Sequence, residues 1–520
     1  MASASSSRRA LLLRGSAALI AAPWLLVRTE RSRAADDNIP RFALGIASGH
    51  PRADGVVLWT RLTGTDLPER TTVQWEIARD EGFREIAARG EEVAEAAWAH
   101  SVHAEPAGLA PDRWYWYRFR ALGQYSAVGR TRTAPVPDGA ARTLNFAIAS
   151  CQRWDHGHYA AWRHMANEEL DLVMFLGDYI YEHPTSKQSV RPLETRSGLV
   201  RTLAQYRARY ATHKSDPALQ AIHARVPWLM VWDDHEVGND YANLQGEHLE
   251  PDFAAQRAAA YQAYWEHMPF PKSARPRGPD MRIVDRLDWG TLARIHLLDD
   301  RQYRDVQVCP KPHRGGSNTV ALKDCPEFLN PQRTLLGAEQ ERWLAQGWDT
   351  ARPWNLVAQQ TLMARLSWTD AAPGGESGGG TYWTDGWDGY APARTRLLET
   401  VAQRKLGGVI VLGGDVHANF VAELKTNYDD PTAPTVATEY CGTSISSVGM
   451  MQSRLDAALP LNPHLRYARS DQRGYMRFAL DAKRMHVQLR VVDNALDPAS
   501  GIATAARFVT EAQQPGAIAD

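Results

Sequence analysis

The stretch Leu172–His183 reads Leu-Val-Met-Phe-Leu-Gly-Asp-Tyr-Ile-Tyr-Glu-His, a short apolar run that turns polar at Gly177-Asp178. This pattern predicts a buried strand whose carboxyl end carries an aspartate into a crevice. Asp178 and Tyr181 are three residues apart, so one turn of chain can point both side chains the same way. The stretch therefore indicates a functional site at the end of a strand.

Three other apolar runs end in polar side chains of the same kinds. The runs Leu144–Ser150, Trp228–Trp232 and Val409–Leu412 are followed by the candidate ligands Cys151, Asp234, Asn239, Asp415 and His417. On its own, Cys151 would be interpreted as a buried core cysteine, but three other ligand-bearing strand ends make it a candidate ligand. Because ligand sites in α/β folds form at the carboxyl ends of strands, the four ends predict one shared metal site.

The candidate ligands fall into two chemical groups. Thiolate, phenolate and imidazole from Cys151, Tyr181 and His417 suit a redox-capable transition metal, and Fe(III) best matches their negative charge. Carboxylates and the amide oxygen of Asn239 suit a hard cation such as Ca²⁺, and Asp178 is placed to bridge the two kinds of ion. Two ions about 3.5–4 Å apart would clamp the attacking and leaving oxygens of an in-line displacement, with a metal-bound hydroxide as the nucleophile.

The composition is that of a globular protein. The chain has 520 residues, of which 44% are hydrophobic and 23% charged, and it is long enough for two or three domains. Its formal net charge of −1 lacks the overall basic character of a dedicated nucleic-acid binder. We therefore expect no stable nucleic-acid partner, and we expect a monomer.

The N-terminus has the layout of a bacterial export signal. Ser7-Arg8-Arg9-Ala10-Leu11-Leu12 precedes a mostly apolar run to Val27, and small residues follow around Ala34. The paired arginines are typical of a twin-arginine signal, which predicts residues 1–34 as the signal and the twin-arginine machinery as a partner. The alternative is a membrane anchor, and Arg14 within the apolar run argues against it. The expected destination is the periplasm or the outside of the cell.

Residues 40–136 are predicted to form an all-β domain. Val56–Leu62 and Thr72–Ile77 alternate apolar and polar residues, and Trp114–Phe119 continues the series. Leu109-Ala110-Pro111 suits a corner of an immunoglobulin- or fibronectin-like sandwich. Such a domain either contacts substrate or a surface, or is a structural appendage packed on the catalytic domain, and we favour the second interpretation.

From Leu144 onwards strands alternate with helices, which predicts an α/β catalytic domain over residues 140–498. The predicted helices are Tyr159–Leu170, Gly198–His213, Pro217–Arg225, Phe253–His267, Glu339–Trp348 and Ala391–Arg404. Pro373–Gly380 is expected to be a flexible glycine-rich loop, and residues 499–520 a loosely packed C-terminal tail.

Two of the four cysteines bracket a loop. An exported protein can keep a disulfide between Cys309 and Cys325, and the bond would stabilise the fold by about 3 kcal/mol if unstrained. Cys441 is most simply a small buried residue.

Together these features resemble the PhoD-type alkaline phosphatase family, also described as phospholipase D-like, a branch of the calcineurin-like metallophosphoesterases. The similar segments are Ala149–Gln152, Gly177–Glu182, Trp232–Val237, Leu298–Tyr303, Trp387–Tyr390, Gly414–His417 and Gly442–Ser446. The resemblance covers nearly the whole chain, and it implies a metallophosphoesterase α/β/β/α sandwich preceded by the all-β domain.

The resemblance also implies a ligand set. One Fe(III) would be held by Cys151, Asp178, Tyr181 and His417, and Asp234, Asn239 and Asp415 would serve Ca²⁺ or bridge. Common metallophosphoesterases instead begin with Asp-x-His, have an aspartate three residues after Gly-Asp and use Gly-Asn-His-Glu. Cys151, Tyr181 and the Asp-Asp-His-Glu of this chain therefore disfavour a plain di-zinc or di-manganese centre.

Two residues are candidates for direct roles in catalysis. His235 is placed to protonate the leaving oxygen as a general acid, or else it is a hydrogen-bonding neighbour of the ligands. Arg153 either binds phosphate or forms an ordinary surface ion pair.

The function expected from the sequence is an exported, metal-dependent alkaline phosphatase and phosphodiesterase that scavenges phosphate. Its substrates would be small phosphate esters, including nucleotides, or polymeric phosphodiesters. The alternatives are a phosphodiesterase directed at phospholipid or teichoic-acid-like polymers, and a non-catalytic surface-binding protein. The complete ligand set argues against the last of these.

Overall fold

A computed structural model describes residues 39–194, 198–369 and 379–520. The predicted export signal and most of the predicted glycine-rich loop lie outside these ranges. No helix within the described ranges is long and apolar enough to cross a membrane.

The N-terminal part of the described chain is built from β-strands. In chain order these are β1 (Ile46–Gly49), β2 (Val57–Arg61), β3 (Arg70–Ala78), β4 (Ile86–Glu95), β5 (Ser101–Ala104), β6 (Trp114–Ala121), β7 (Gln124–Tyr125) and β8 (Gly129–Arg132). Buried and exposed positions alternate along β6, as the sequence predicts for a strand with one face in a core. The Tyr115 hydroxyl accepts a hydrogen bond from the Ala110 backbone N–H at 2.9 Å, a tyrosine corner of the kind found in such sandwiches.

The two layers of this sandwich belong to different sheets. Strands β3, β4, β6, β7 and β8 form a sheet of their own, whereas β1, β2 and β5 extend the large sheet of the C-terminal part. The junction is a parallel pairing between Gly49 and Trp228. Apolar side chains from both layers, including Leu58, Val73 and Tyr117, form one core. The all-β prediction is confirmed, and the structure adds that the sheet continues across the predicted domain boundary.

The C-terminal part contains the remaining strands and the helices. The strands are β9 (Leu144–Ala149), β10 (Leu172–Leu176), β11 (Trp228–Val231), β12 (Asp285–Trp289), β13 (Ala293–Leu297), β14 (Thr319–Ala321), β15 (Trp354–Ala358), β16 (Thr381–Trp383), β17 (Val409–Gly413), β18 (Asn419–Lys425), β19 (Thr435–Cys441), β20 (Leu465–Arg469), β21 (Arg473–Leu480), β22 (Arg484–Val492), β23 (Ile502–Glu511) and β24 (Gln514–Ala519). The helices are α1 (Ala160–Met165), α2 (Leu203–Lys214), α3 (Pro217–Arg225), α4 (Phe253–His267), α5 (Gly337–Gly347), α6 (Ala391–Gln403) and α7 (Gln452–Ala458).

Two large sheets are packed face to face. The first has the strand order β24-β23-β22-β21-β9-β10-β11-β1-β2-β5, and the second β12-β13-β15-β17-β19-β18-β20. Strand β17 shows the packing, because Ile410 and Leu412 belong to the core shared with the first sheet. Val409 and Val411, on the opposite face, pack in a separate core with side chains of α5, α6 and α7.

The outer face of the first sheet is covered by helices α1 to α4. Trp162 of α1 contacts Phe175 of β10 with ring centroids 6.0 Å apart, and Trp232 stacks on Tyr261 of α4 at 4.1 Å. Helices, two sheets and helices therefore follow one another in layers, which confirms the predicted α/β/β/α sandwich.

The bounds of the predicted helices agree with the structure to different degrees. Helix α2 begins at Leu203 and not at the predicted Gly198, and Thr202 and Gln205 form a capping box at its start. Helices α3 and α4 have the predicted bounds, and α3 begins at a proline after Asp216, whose side chain accepts from the backbone N–H of Ala218. Helix α1 is shorter than predicted, since it ends at Met165 and turns follow.

The prediction of a loosely packed tail at residues 499–520 is wrong. Strand β23 pairs with β22 along its whole length, and β24 pairs with β23, so this segment forms one edge of the ten-stranded sheet. Strand β23, with its alanines and threonines, alternates more buried positions with more exposed ones. Small side chains carry little hydrophobic contrast, and the alternation is therefore invisible in the sequence.

Candidate active site

The four predicted strand ends meet at one place. Strands β9, β10 and β11 are parallel neighbours in the first sheet, and they deliver Cys151, Asp178 and Asp234 to the same edge. Strand β17 of the facing sheet delivers Asp415, and His417 follows two residues later. Residues from both sheets therefore converge at the carboxyl ends of the strands, as the sequence predicts.

The backbone at these ends adopts a conformation that non-glycine residues rarely use. The φ angles are +59° at Cys151, +59° at Asp178, +65° at Asp415 and +53° at His417. Each such residue costs on the order of 1–3 kcal/mol, and residues of this kind collect at functional sites. The strain indicates that these residues keep the direction of their side chains at a cost in backbone conformational energy.

Glu236 holds two of the strand ends together. Its carboxylate accepts hydrogen bonds from the backbone N–H groups of Asp178 at 3.1 Å, Tyr179 at 2.5 Å and Asp233 at 2.9 Å. The residue is fully buried. Glu236 thus positions the loops that carry the ligands, a role that sequence reasoning missed because its partners lie far away in the chain.

Cys151, Asp178, Tyr181 and His417 form the centre of the site. The Tyr181 hydroxyl donates to Asp178 Oδ2 at 2.8 Å and lies 3.0 Å from His417 Nε2. One ligand atom each of Cys151, Asp178 and His417 lie within 4.8 Å of one another. His417 Nδ1 donates to the Val448 carbonyl at 2.8 Å, which leaves Nε2 as the ring nitrogen available to the centre.

Asp234 and Asn239 lie next to this centre. Asp178, Asp234 and His235 bring ligand atoms within 4.8 Å of one another. The Asn239 amide nitrogen donates to Glu247 at 3.0 Å, which leaves the amide oxygen as the atom for a ligand role. Together with Asp415, these residues line one cavity of about 370 Å³. We call Cys151, Asp178, Tyr181, Asp234, Asn239, Asp415 and His417 the ligand cluster.

The ligand cluster brings several mostly buried acidic groups together, with no lysine or arginine among its members. Burial, reinforced by Asp178, raises the pKa of the Cys151 thiol and of the Tyr181 phenol well above their usual ranges. Burial also raises the pKa of Asp415 well above its ordinary value, against the effect of Arg301. Within the described residues, Asp178 Oδ1 and Asp234 Oδ1 are buried and lack a hydrogen-bond partner. These residues fit bound metal cations, which would supply the missing charge.

A second buried acidic cluster lies beside the first and is neutralised by arginines. Arg301 donates to Asp233 and, at 2.6 Å, to Asp385 Oδ2, and Arg304 donates to Asp385 Oδ1 at 2.6 Å. These two carboxylates and two guanidinium groups form the ion-pair cluster. Arg301 Nη2 also lies 3.8 Å from Asp415 Oδ2. No sequence pattern singles out either residue for a role: Arg301 lies inside the family-like segment Leu298–Tyr303, and Asp385 lies just before Trp387–Tyr390.

His235 is held by a carboxylate. Its Nδ1 donates to Glu182 Oε2 at 2.7 Å, and Glu182 Oε1 accepts from the Asn239 backbone N–H at 2.8 Å. Burial opposes protonation of the imidazole, but Glu182, Asp234 and Asp178 outweigh it and hold the His235 pKa well above its usual range. The imidazole lines the cavity beside the ligand cluster. This geometry suits a proton donor, and sequence reasoning did not assign Glu182 its part in it.

Arg153 lies beside the centre in an ion pair. Its Nε donates to Asp155 Oδ1 at 2.9 Å, and Asp155 is fully buried. The Arg153 guanidinium carbon is 5.6 Å from the Tyr181 ring centroid. The ion-pair contact is therefore present, although it is not the exposed surface pair that the sequence suggested as the alternative. A role of Arg153 in binding phosphate stays a prediction.

Cys309 and Cys325 form a disulfide, as the sequence allowed. Cys441 is buried, and its thiol contacts the Gly414 carbonyl oxygen at 3.2 Å.

Comparison with known proteins places the chain in a family. A model of the PhoD-like phosphatase family matches residues 146–489, and a model of the PhoD-like phosphatase N-terminal domain matches residues 28–135. The chain is 41% identical over 493 residues to alkaline phosphatase D of Bacillus subtilis (strain 168), covering 91% of this chain and 82% of that protein.

A solved structure of PhoD is similar over nearly the whole fold. Its TM-score is 0.87 and its sequence identity 40%, with 94% of this chain and 93% of that chain covered. The fold, the converging strand ends and these similarities lead to the same assignment. The chain belongs to the PhoD-like phosphatase family and is a phosphoric ester hydrolase of the alkaline phosphatase type.

Proposed function

We propose that this enzyme is exported, depends on bound metal ions and hydrolyses phosphomonoesters and phosphodiesters to release phosphate for uptake. The observation that carries the metal dependence is the ligand cluster, in which Asp178 Oδ1 and Asp234 Oδ1 are buried beside an open cavity and have no hydrogen-bond partner in the part of the chain that the structure describes. Such oxygens are costly to bury unless a cation binds them.

Fe(III) and Ca²⁺ are the proposed ions. Cys151, Asp178, Tyr181 and His417 would hold iron, since thiolate and phenolate are anionic donors that favour a trivalent ion. Asp234, Asn239 and Asp415 offer oxygen atoms, which suit calcium. Once bound, the ions would supply positive charge for the phosphoryl oxygens and would lower the pKa of an attacking water.

A side chain of the protein would supply the proton that the leaving group needs. His235, kept protonated by Glu182, would give its proton to the leaving oxygen as the phosphorus–oxygen bond breaks. Water supplies the oxygen of the new bond to phosphorus, and its proton goes to solvent. No side chain is required as a covalent nucleophile, so a chirally labelled phosphate ester should react with inversion at phosphorus.

Export is supported by two features. Residues 1–34 have the composition of a twin-arginine signal. Cys309 and Cys325 form a disulfide, and disulfides persist in oxidising compartments outside the cytoplasm.

The test combines metal analysis with removal of one metal. Protein exported by its native host should contain iron and calcium, and a calcium-selective chelator should abolish hydrolysis reversibly while iron stays bound. Activity that survives exhaustive calcium removal would contradict the assignment of Asp234 and Asn239. Assays with phosphomonoesters, phosphodiesters, phospholipid vesicles and teichoic-acid-like polymers would then rank the substrate classes.

A further inference from the structure

The cavity lined by Asp178, Asp234, Asn239, Asp415 and His417 of the ligand cluster has a second wall of different chemistry. Its side chains are apolar and rich in tryptophan: Leu362, Leu366, Trp368, Trp383, Trp387 and Met450. Trp387 is fully buried, whereas Trp368 and Trp383 keep part of their indole surface exposed. We call these six residues the apolar wall. Binding a phosphoryl group does not need an apolar surface. The presence of the apolar wall therefore indicates a ligand with an apolar part.

Trp368 is held in a fixed position. Its backbone N–H donates to the Thr381 carbonyl at 2.9 Å. Thr381 belongs to β16, the strand that also carries Trp383. Asn462 binds both backbone groups of the preceding residue, Ser367, at 2.9 Å and 2.8 Å. The Arg454 guanidinium lies 4.2 Å from the Trp368 ring centroid, a cation–π contact. The wall is therefore formed before a ligand arrives.

We propose that the apolar wall is a leaving-group subsite for a planar aromatic group, an inference that rests on the proposed function. Asp178 and His235 line the same cavity as Trp368 and Trp383, so a bound ester has its phosphoryl group and its leaving group in one continuous space. Indole surfaces bind planar rings by stacking, with little dependence on the ring's identity. The preferred substrates are then aryl or nucleoside phosphate esters.

The size of the cavity favours a ring over a lipid. About 370 Å³ is near the lower end of the range for small-molecule sites, and the phosphoryl group takes part of it. One ring system fits in what is left, whereas the two acyl chains of a phospholipid do not. Val448 and Met451, close in sequence to the cavity-lining Met450, are 61% and 75% exposed, and a lipid would need to bind at such exposed apolar side chains instead.

The test uses esters that differ only in the leaving group. Propyl, 2-cyclohexylethyl and 2-phenylethyl phosphate are esters of primary alcohols, so the bond that breaks has similar reactivity in all three. The subsite predicts that kcat/KM for the phenylethyl ester exceeds that for the propyl ester about tenfold, mainly through KM. The matching non-hydrolysable phosphonates should inhibit in the same order, which reports binding without turnover.

Trp368→Ala should reduce the ratio of phenylethyl to propyl turnover to near one. The matched control is Trp343→Ala, because Arg286 lies 4.2 Å over the Trp343 ring in the same arrangement and this tryptophan is not part of the apolar wall. Trp343→Ala should leave the ratio unchanged.

Every other result would contradict either the aromatic subsite or the proposed function. Equal turnover of the three esters, or equal preference for cyclohexyl and phenyl, would overturn the aromatic subsite while leaving the proposed function intact. Faster turnover of phospholipid vesicles, abolished by Met451→Ser, would overturn it in favour of a lipid. Failure to hydrolyse any ester would count against the proposed function itself, whereas the order of phosphonate inhibition would still judge the subsite.

Discussion

The ligand cluster and the ion-pair cluster are neighbouring groups of buried carboxylates. They differ in how many hydrogen-bond donors the protein supplies to their oxygens. In the ion-pair cluster, both oxygens of Asp385 accept from the guanidinium groups of Arg301 and Arg304. In the ligand cluster, Asp178 Oδ1 and Asp234 Oδ1 have no donor among the described residues. Asp385 is therefore neutralised by the protein itself, whereas Asp178 and Asp234 each keep an oxygen that a bound cation would satisfy. Asp233 is intermediate, since Arg301 donates to its Oδ1 and its Oδ2 has no partner within the described residues.

The difference teaches how to separate structural from functional carboxylates. Burial alone does not distinguish them, since Asp178 and Asp385 are both almost completely buried. The number of protein donors distinguishes these two residues, because both oxygens of Asp385 have a donor and Asp178 Oδ1 has none among the described residues. The backbone differs at the same two residues, since Asp178 has a positive φ angle and Asp385 does not.

The largest expected effect is on activity and comes from Asp178→Asn. The change removes a carboxylate oxygen that would serve as a ligand to the proposed ions, so kcat/KM should fall by a factor on the order of 10³ or more. Stability of the metal-free protein should hold or rise, because one of several crowded negative charges disappears. Steady-state kinetics, metal analysis and chemical unfolding measure these effects. If Asp178→Asn kept full activity and full metal content, the proposed difference between the ligand cluster and the ion-pair cluster would be wrong.

The ion-pair cluster should respond in the opposite way. Asp385→Asn leaves Arg301 and Arg304 buried without their shared carboxylate, and should lower the free energy of unfolding by about 3–5 kcal/mol. The control is Asp429→Asn, which removes the exposed partner of Arg365 and should change stability by about 1 kcal/mol or less. Chemical unfolding of metal-free protein is the measurement. Equal effects of the two variants would show that burial of the pair has no special weight.

A smaller effect is expected from Glu182→Gln, which tests whether Glu182 keeps His235 protonated as the proton donor. Because Glu182 raises the pKa of His235, its removal lowers that pKa, and protonated His235 is lost at lower pH. The alkaline limb of the pH–rate profile should therefore move to lower pH, with a fall in kcat of about 10–100-fold. In a His235→Asn background the same change should leave the alkaline limb where it is. A shift that persists there would assign the limb to another group.

The smallest effect on turnover is expected from Tyr181→Phe, which tests the identity of the ion. Phenolate bound to Fe(III) gives a visible charge-transfer band, and the variant should lose or shift this band while Cys151, Asp178 and His417 remain. The matched control is Tyr179→Phe, a buried neighbour whose hydroxyl contacts His223 at 2.9 Å. An unchanged spectrum in Tyr181→Phe, or a colourless active enzyme that contains only zinc, would contradict iron at this position.

The sequence carried enough information to locate the ligand cluster but not what supports it. Strand ends such as Leu172–Asp178 are local patterns, and their convergence follows from the geometry of parallel sheets. Glu236 and Arg301 act through contacts with residues more than fifty positions away, and no local pattern records such contacts. For the same reason the joining of β1 to β11, between Gly49 and Trp228, could not be anticipated from either segment alone.

The division of the ligand cluster between two sheets would couple metal uptake to folding. Tyr181 and His417 are 236 positions apart, and their contact exists only after the sheets have docked face to face. Contacts of such large sequence separation are slow to form, because closing the long loop between them costs entropy. A chain with only one sheet formed would offer an ion an incomplete set of donors. Tight metal binding would therefore report that the two sheets have docked.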